Sequence, residues 1–185
     1  CVILSIGNLA TLADSKDAIL EDSTNCLGDQ CADDSVLRFL SYPNDIRSLT
    51  EELISIPSPS GSEHLAGRYI EHWLRSRGWN VTIQHVVEDP NKRFNVLGLA
   101  PDVQMADVKV IMSTHFDTVP VSVQNPRATN SRLYGRGAVD AKGIVAAMMV
   151  TAEALRKKGV ATVAVMFVCG EETDHAGMIA ANRLE

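Results

Sequence analysis

Three short stretches of the sequence carry side chains that could bind a metal ion. In the first, His115 and Asp117 lie two residues apart directly after the apolar run KVIMS, so in an extended chain they face the same side. A neutral imidazole is a good zinc ligand, and a carboxylate at its other nitrogen fixes its orientation. An ordinary His-Asp pair in a surface turn is the alternative interpretation.

The second stretch, Gly135–Gly143, leads into the clearest helical pattern of the chain. Its three glycines allow tight bends and a close approach to a ligand. Asp140 is the candidate metal ligand here, although an aspartate at a helix start is also the expected N-cap. Neither of the phosphate-binding patterns GxGxxG and GxxxxGK[ST] is present.

The third stretch contains the adjacent residues Glu171 and Glu172, which follow the apolar run ATVAVMFV. Two neighbouring carboxylates repel each other unless a cation lies between them or one is protonated. A metal ion would resolve this conflict, and two solvated loop glutamates are the alternative. Nitrogen and oxygen ligands without cysteine suit zinc in a hydrolytic role, and cobalt or manganese could replace it.

The elements that would position these residues alternate between helix and strand. Apolar periodicity predicts helices over 46–56, 65–77 and 142–158, and strands over 81–87, 94–99, 109–113 and 161–168. Capping boxes are predicted at Ser48 with Glu51 and at Ser60 with Glu63. This alternation predicts an α/β fold with a central, mostly parallel (mixed) sheet and helices on both faces. All three stretches then lie at the sheet rim, where ligands bind in such folds.

The beginning of the chain differs in character from the rest. Residues 1–13 (CVILSIGNLATLA) are apolar and end in small residues, which predicts the remnant of a signal peptide; a frayed first strand or helix is the alternative. Residues 14–44 are polar and predict an arm or linker. Cys26 and Cys31 could form a small disulfide loop or remain two thiols. With the sequon Asn80-Val81-Thr82, these features favour a secreted glycoprotein.

Composition restricts the classes of partner. Hydrophobic residues make up 45% of the chain and charged residues 22%, which is typical of a globular protein. The net charge of −6 argues against a nucleic-acid partner. No run approaches the roughly 18 apolar residues that span a bilayer, so no membrane partner is expected.

Together the three stretches resemble the signature blocks of the M20 metallopeptidases, a family that includes glutamate carboxypeptidases, aminoacylases and acetylornithine deacetylase. The resemblance runs from about Asp45 to Glu185 and identifies 45–185 as the N-terminal part of the catalytic domain. It implies a two-zinc exopeptidase-like fold that is incomplete here, without the lid domain and the C-terminal part. It also implies three metal ligands for two Zn²⁺ ions (Co²⁺ or Mn²⁺ possible): His115, Asp140, which bridges both ions, and Glu172.

By the same resemblance, Asp117 orients the histidine from behind and Glu171 is the general base. A cis peptide bond is implied between Asp140 and Ala141. The function implied is zinc-dependent hydrolysis of peptide or amide bonds by a secreted carboxypeptidase, with a peptide as substrate. The alternatives are an N-acyl-amino-acid deacylase of the same family and a non-catalytic module that keeps the fold.

The family pattern also requires a further carboxylate ligand and a histidine later in the chain. The expectation is therefore that the 185 residues by themselves are inactive. The oligomer contacts and the features that select the substrate are expected in the lid domain.

Overall fold

The computed structural model describes residues 2–5, 37, 40–87, 89–120 and 127–184. None of the helices in these ranges is both long and apolar enough to cross a membrane. The described helices are α1 (Ile46–Ser55), α2 (His64–Arg75), α3 (Lys142–Lys157), α4 (Ala176–Ala181) and a 3-10 turn (Met105–Asp107). The described strands are β1 (Val2–Ser5), β2 (Asn80–His85), β3 (Phe94–Leu99), β4 (Val110–His115), β5 (Arg127–Ala128), β6 (Leu133–Tyr134) and β7 (Val163–Val168).

Five strands form one mixed sheet in the order β1-β4-β7-β3-β2, while β5 and β6 pair separately. Strands β4 and β7 are parallel, with His115 opposite Val168. The other pairings of the five-stranded sheet are antiparallel. The predicted α/β class and mixed sheet are confirmed, but the parallel share of the described sheet is smaller than expected. The parallel pair lies at the centre, where its two carboxyl ends reach the same edge.

Helices lie on both faces of the sheet, as predicted. Successive side chains of a strand point to opposite faces, so Val165 and Phe167 of β7 join one apolar cluster and Ala164 and Met166 join the other. The first cluster is covered by α1, α2 and α3, and the second by α4 and the 3-10 turn. Trp73 and Tyr69 of α2 are among the largest fully buried side chains of the first cluster.

The helix starts differ from the predicted capping boxes. Helix α1 is capped by Asp45, whose carboxylate accepts a hydrogen bond from the Ser48 backbone N–H at 2.8 Å. Helix α2 begins at His64 without a side-chain cap. The hydroxyl of Ser60 instead donates a hydrogen bond to the Asp117 carboxylate, and Glu63 is buried, with 2% of its surface exposed. The Ser60 side chain that the local pattern assigned to capping is therefore used in a tertiary contact, and that of Glu63 is buried without capping the helix.

The beginning of the chain is described only in part. Residues 2–5 form β1 and pair antiparallel with β4, while the signal-peptide remnant over 1–13 stays a prediction. Residues 6–36, with both Cys26 and Cys31, lie outside the described residues. The end of the predicted arm (14–44) packs against α2: the ring of Tyr42 stacks on that of Tyr69, with 4.9 Å between the ring centroids.

A buried carboxylate joins α3 to the residue directly before β2. Glu153 is 5% exposed and accepts hydrogen bonds from the Trp79 indole at 2.9 Å and from the Arg156 guanidinium at 2.8 Å. Burial raises the pKa of Glu153, but the donors from Arg156 and Trp79 outweigh this effect and lower the pKa to about 2 from 4.5. Such a group stabilises the fold above its unfolded pKa, and the contribution is lost as the pH falls through its folded pKa.

We expect Glu153→Gln to lower the free energy of unfolding at neutral pH by about 1–3 kcal/mol, because glutamine keeps the shape but loses the charge-assisted bonds. The difference from the wild type should shrink between pH 4.5 and about 2. Urea denaturation across this range measures it. Glu51→Gln is the control, since Glu51 and Arg47 form an exposed pair at 3.3 Å. Equal effects of the two substitutions would contradict the prediction.

Candidate metal centre

The parallel pairing of β4 and β7 places the ends of both strands side by side. His115 is the last residue of β4, and Glu171 and Glu172 follow shortly after the end of β7. Asp140 approaches from the loop before α3. One ligand atom each of His115, Asp140 and Glu172 lies within 4.8 Å of the others. The structure therefore brings together the three residues that the sequence predicted to share a metal site.

Asp117 connects the two strand ends. Its carboxylate is fully buried and accepts the backbone N–H groups of Glu171 at 3.0 Å and Glu172 at 3.1 Å. It also accepts the Ser60 hydroxyl at 2.6 Å and lies 3.4 Å from Nδ1 of His115. Burial raises the pKa of Asp117, but these donors outweigh it and hold the pKa below 3.8. Asp117 is thus an ionised acceptor that contacts both His115 at the end of β4 and the turn after β7.

The imidazole of His115 is fixed at both nitrogens. Nδ1 lies 3.0 Å from the Asp117 backbone oxygen, and Nε2 lies 3.0 Å from Oδ1 of Asp140 and 3.7 Å from Oε2 of Glu171. Burial lowers the pKa of His115, but the neighbouring carboxylates of Asp117 and Asp140 outweigh it and raise the pKa to about 9. Without a metal ion, a proton therefore balances these carboxylates at Nε2. A metal ion bound there must displace that proton.

The glycine-rich loop brings Asp140 to the rim without using it as a helix cap. The residue before α3 is Ala141, and no side chain caps this helix. Gly137 has a φ of 80°, and a Cβ there would lie 2.9 Å from the Thr118 side chain. The Asp140–Ala141 peptide bond is cis, as the family resemblance implied. The side chain of Asp140 is 73% exposed, which leaves it accessible to a ligand.

The buried Lys142 stabilises the glycine-rich loop. Lys142 is 1% exposed, and its ammonium donates to the backbone oxygen of Ile56. Burial lowers the pKa of Lys142 to about 8. Its backbone N–H donates to Gly137 at 2.8 Å, so the turn and the helix start are held together.

A second loop supports Asp117 from the side. Residues 58–60 run alongside residues 116–118, with the Thr118 N–H donating to Ser58 at 2.9 Å and the Ser60 N–H donating to Thr118 at 3.2 Å. Next to this loop, neither carboxylate oxygen of Glu63 has a hydrogen-bond partner. Burial raises the pKa of Glu63 to about 7, and the nearby charge of Asp117 adds to this effect.

The donor set of the three clustered residues suits a metal ion. Zn²⁺ takes imidazole nitrogen and carboxylate oxygen at about 2.0–2.2 Å, which puts ligand atoms roughly 3.4 Å apart in a tetrahedral site. All present separations are within 4.8 Å, and Nε2 of His115 lies 3.0 Å from Oδ1 of Asp140, so the three ligand atoms are close enough together to share one ion after small side-chain movements. Metal-binding histidines commonly have a carboxylate at their other ring nitrogen, and Asp117 supplies it 3.4 Å from Nδ1 of His115.

The predicted site residues are all at the rim, but other members of the site were not predicted. Ser60 and Glu63 were assigned to a capping box, and Arg93 was assigned no role. One local pattern could have indicated a role for Arg93: Asp89 lies four positions earlier, which is the spacing of a local ion pair. Its second partner, Asp174, is distant in sequence and leaves no local pattern.

Residues 111–183, which contain all three predicted stretches, match the model of Peptidase family M20/M25/M40. A probable carboxypeptidase of Emericella nidulans is 40% identical over 139 residues, which are 71% of this chain and 32% of that protein. A peptidase M20 domain-containing protein of Schizosaccharomyces pombe is 30% identical over 186 residues, or 96% of this chain and 43% of that protein. The chain belongs to the M20 peptidase family.

Solved structures agree with the M20 assignment at the level of the fold. Aminopeptidase PepT from Bacillus cereus has a TM-score of 0.59 at 18% identity, covering 76% of this chain and 39% of that one. An M20 family metallo-carboxypeptidase from Sulfolobus solfataricus has a TM-score of 0.53 at 20% identity, covering 66% and 30%. The M20 chain described here spans roughly a third of the length of the first curated relatives that it matches.

Proposed function

We propose that this chain forms part of a two-zinc active site in a carboxypeptidase that hydrolyses peptide bonds. The observation that carries the proposal is the convergence of His115, Asp140 and Glu172 within 4.8 Å at the ends of two parallel strands. Three such residues with a buried carboxylate behind the histidine match a hydrolytic metal site better than a set of solvated loop residues.

Each residue has a distinct part in the proposed reaction. His115, Asp140 and Glu172 would hold the metal, and by the family resemblance Asp140 would be shared between two ions. When bound, a pair of zinc ions supplies a Lewis acid for the substrate carbonyl and lowers the pKa of water toward neutrality. Asp117 keeps Nδ1 of His115 engaged, so that Nε2 is free to bind once its proton has left.

Glu171 would carry the proton transfers. Its side chain is 46% exposed, and Oε2 lies 3.7 Å from Nε2 of His115. It can therefore reach both the candidate metal position and an entering substrate. The carboxylate takes a proton from the attacking water as the carbon–oxygen bond forms, then gives it to the leaving nitrogen as the carbon–nitrogen bond breaks.

The relatives favour peptide hydrolysis over removal of an N-acyl group. Several similar proteins from Aspergillus species are described as probable carboxypeptidases, at 32–35% identity. A carboxypeptidase acts at the C-terminus of a peptide, so we propose a peptide with a free terminal carboxylate as the substrate. The non-catalytic alternative predicts that even the full-length protein contains no zinc, which metal analysis would show.

Metal binding by the purified full-length protein tests the proposal. We expect His115→Gln and Glu172→Gln each to lower the Zn²⁺ affinity by more than the roughly 10–100-fold that loss of an outer-shell partner costs. Isothermal titration calorimetry measures the affinity, and Glu51→Gln on the exposed face of α1 is the matched control. Unchanged affinity in both site variants would remove the metal from the proposal.

We also propose that the protein is secreted and carries a glycan at Asn80. Asn80 and Thr82 are both exposed on β2, an edge strand of the five-stranded sheet, so the sequon is accessible to a glycosyltransferase. After expression through a eukaryotic secretory pathway, treatment with a peptide N-glycosidase should increase the electrophoretic mobility of the wild type but not of Asn80→Gln. Identical mobility of the untreated wild type and variant would contradict the proposal.

A further inference from the structure

The turn that carries Glu171 and Glu172 is held from two sides. On one side, the Asp117 carboxylate accepts both backbone N–H groups. On the other side lies Arg93, directly before β3, which the proposed reaction does not use. A Cβ at Gly170 would lie 2.6 Å from Nη1 of Arg93, so the guanidinium is packed directly against the first residue of the turn.

Arg93 joins two carboxylates from separate parts of the chain. It donates to Asp174 in the same turn at 3.0 and 2.8 Å, as a two-pronged contact. It also donates to Asp89 through Nε at 3.1 Å and Nη2 at 2.9 Å. The side chains of Arg93 and Asp89 are 9% and 2% exposed, whereas that of Asp174 is 52% exposed. The turn is therefore attached, through Asp174, to the buried ion pair of Arg93 and Asp89.

The geometry of this contact depends on a guanidinium. Arginine presents a planar fork that can bind one carboxylate through two parallel bonds while its remaining donors bind another, and lysine cannot do so. Asp174 in turn accepts the backbone N–H of Ala176 at 3.1 Å, which continues the support to the start of α4.

We propose that Arg93 is a positioning residue that fixes the Glu171–Glu172 turn through Asp174 and Gly170. That the turn matters for metal binding rests on the proposed function. The contact of Arg93 with Asp174 and Gly170 does not depend on that proposal. Because Asp117 restrains the backbone of the turn and Arg93 restrains its far end, loss of Arg93 leaves the two glutamates attached on one side only. Their carboxylates would then sample more positions relative to His115.

Hydrogen–deuterium exchange of the full-length protein tests the attachment without using metal or activity. We expect the segment 169–175 to exchange roughly tenfold faster in Arg93→Gln than in the wild type. Asp174→Asn should give a smaller increase in the same segment. It leaves Arg93 paired with Asp89, so it should preserve the fold if Arg93→Gln does not.

The matched control is Arg156→Gln, which removes a guanidinium bound to the buried Glu153 on α3. It should speed exchange near the end of α3 and leave the segment 169–175 unchanged. If the segment exchanges within about twofold of the wild type in both Asp174→Asn and Arg93→Gln, or equally fast in Arg156→Gln and Arg93→Gln, the inference is overturned.

Binding of Co²⁺ to the same proteins provides the second readout. We expect about tenfold weaker binding and an altered visible absorption spectrum in Arg93→Gln, with neither change in Arg156→Gln. Failure of the wild type itself to bind Co²⁺ would count against the proposed function, while the exchange result would still decide the role of Arg93. Wild-type Co²⁺ affinity in Arg93→Gln would overturn the link from Arg93 to the metal ligands.

Discussion

Replacing Glu171 with glutamine is expected to lower kcat for peptide hydrolysis by about 10²–10⁴-fold while the protein keeps its bound metal. Glutamine has the same shape as glutamate, and the contact of residue 171 with Asp117 is made by its backbone N–H, so the turn should be unchanged. The amide cannot take a proton from water at neutral pH. The loss should therefore fall on the chemical step, with KM nearly unaffected.

The measurement is steady-state hydrolysis of a peptide with a free C-terminus by the full-length protein, together with its zinc content. Glu172→Gln is the informative comparison, because it should lose metal and activity together. Glu51→Gln should match the wild type in both. Undiminished turnover in Glu171→Gln would assign the proton transfers to another group, and loss of zinc in that variant would make Glu171 a ligand instead.

The second large effect is expected for Asp117→Asn. The buried carboxylate serves the N–H groups of Glu171 and Glu172, the Ser60 hydroxyl and the ring of His115. Asparagine offers one acceptor oxygen and turns an NH₂ group toward these donors. We expect the free energy of unfolding to fall by about 2–5 kcal/mol and the Zn²⁺ affinity to fall about 10–100-fold.

Chemical denaturation and calorimetric zinc titration measure the two effects. Ser60→Ala provides a graded comparison, because it removes a single donor and should cost only about 1 kcal/mol. The pKa of Asp117 is lowered in the fold, so its contribution is present above 3.8 and is lost as the pH falls through the folded pKa. A stability of Asp117→Asn equal to that of Ser60→Ala would show that the carboxylate charge contributes little.

Much of the site could be predicted because its residues follow apolar runs. A short buried strand has a local signature, and the carboxyl ends of parallel strands meet at one edge, so the sequence alone predicts that His115 and Glu172 lie near each other. The roles of these residues as ligands, and of Asp117 and Glu171 in catalysis, stay predictions until metal binding and turnover are measured.

The parts that could not be predicted depend on contacts between distant segments. The antiparallel neighbours of the central pair are set by packing that leaves no periodicity in the sequence. Ser60 and Glu63 have the spacing of a capping box, yet one binds Asp117 and the other is buried. Arg93 and Asp174 are likewise joined only in the folded chain.

The register of β4 against β7 determines where insertions and deletions can be tolerated around the candidate metal site. Opposing strands are held about 4.8 Å apart by their backbone hydrogen bonds, whatever side chains they carry. The distance between the two strand ends, at His115 and Val168, is therefore set by the main chain. Loops around it can lengthen or change composition with little effect on that distance. Deleting one residue within either strand would turn its terminal side chain to the opposite face, so insertions and deletions should be tolerated only outside the two strands.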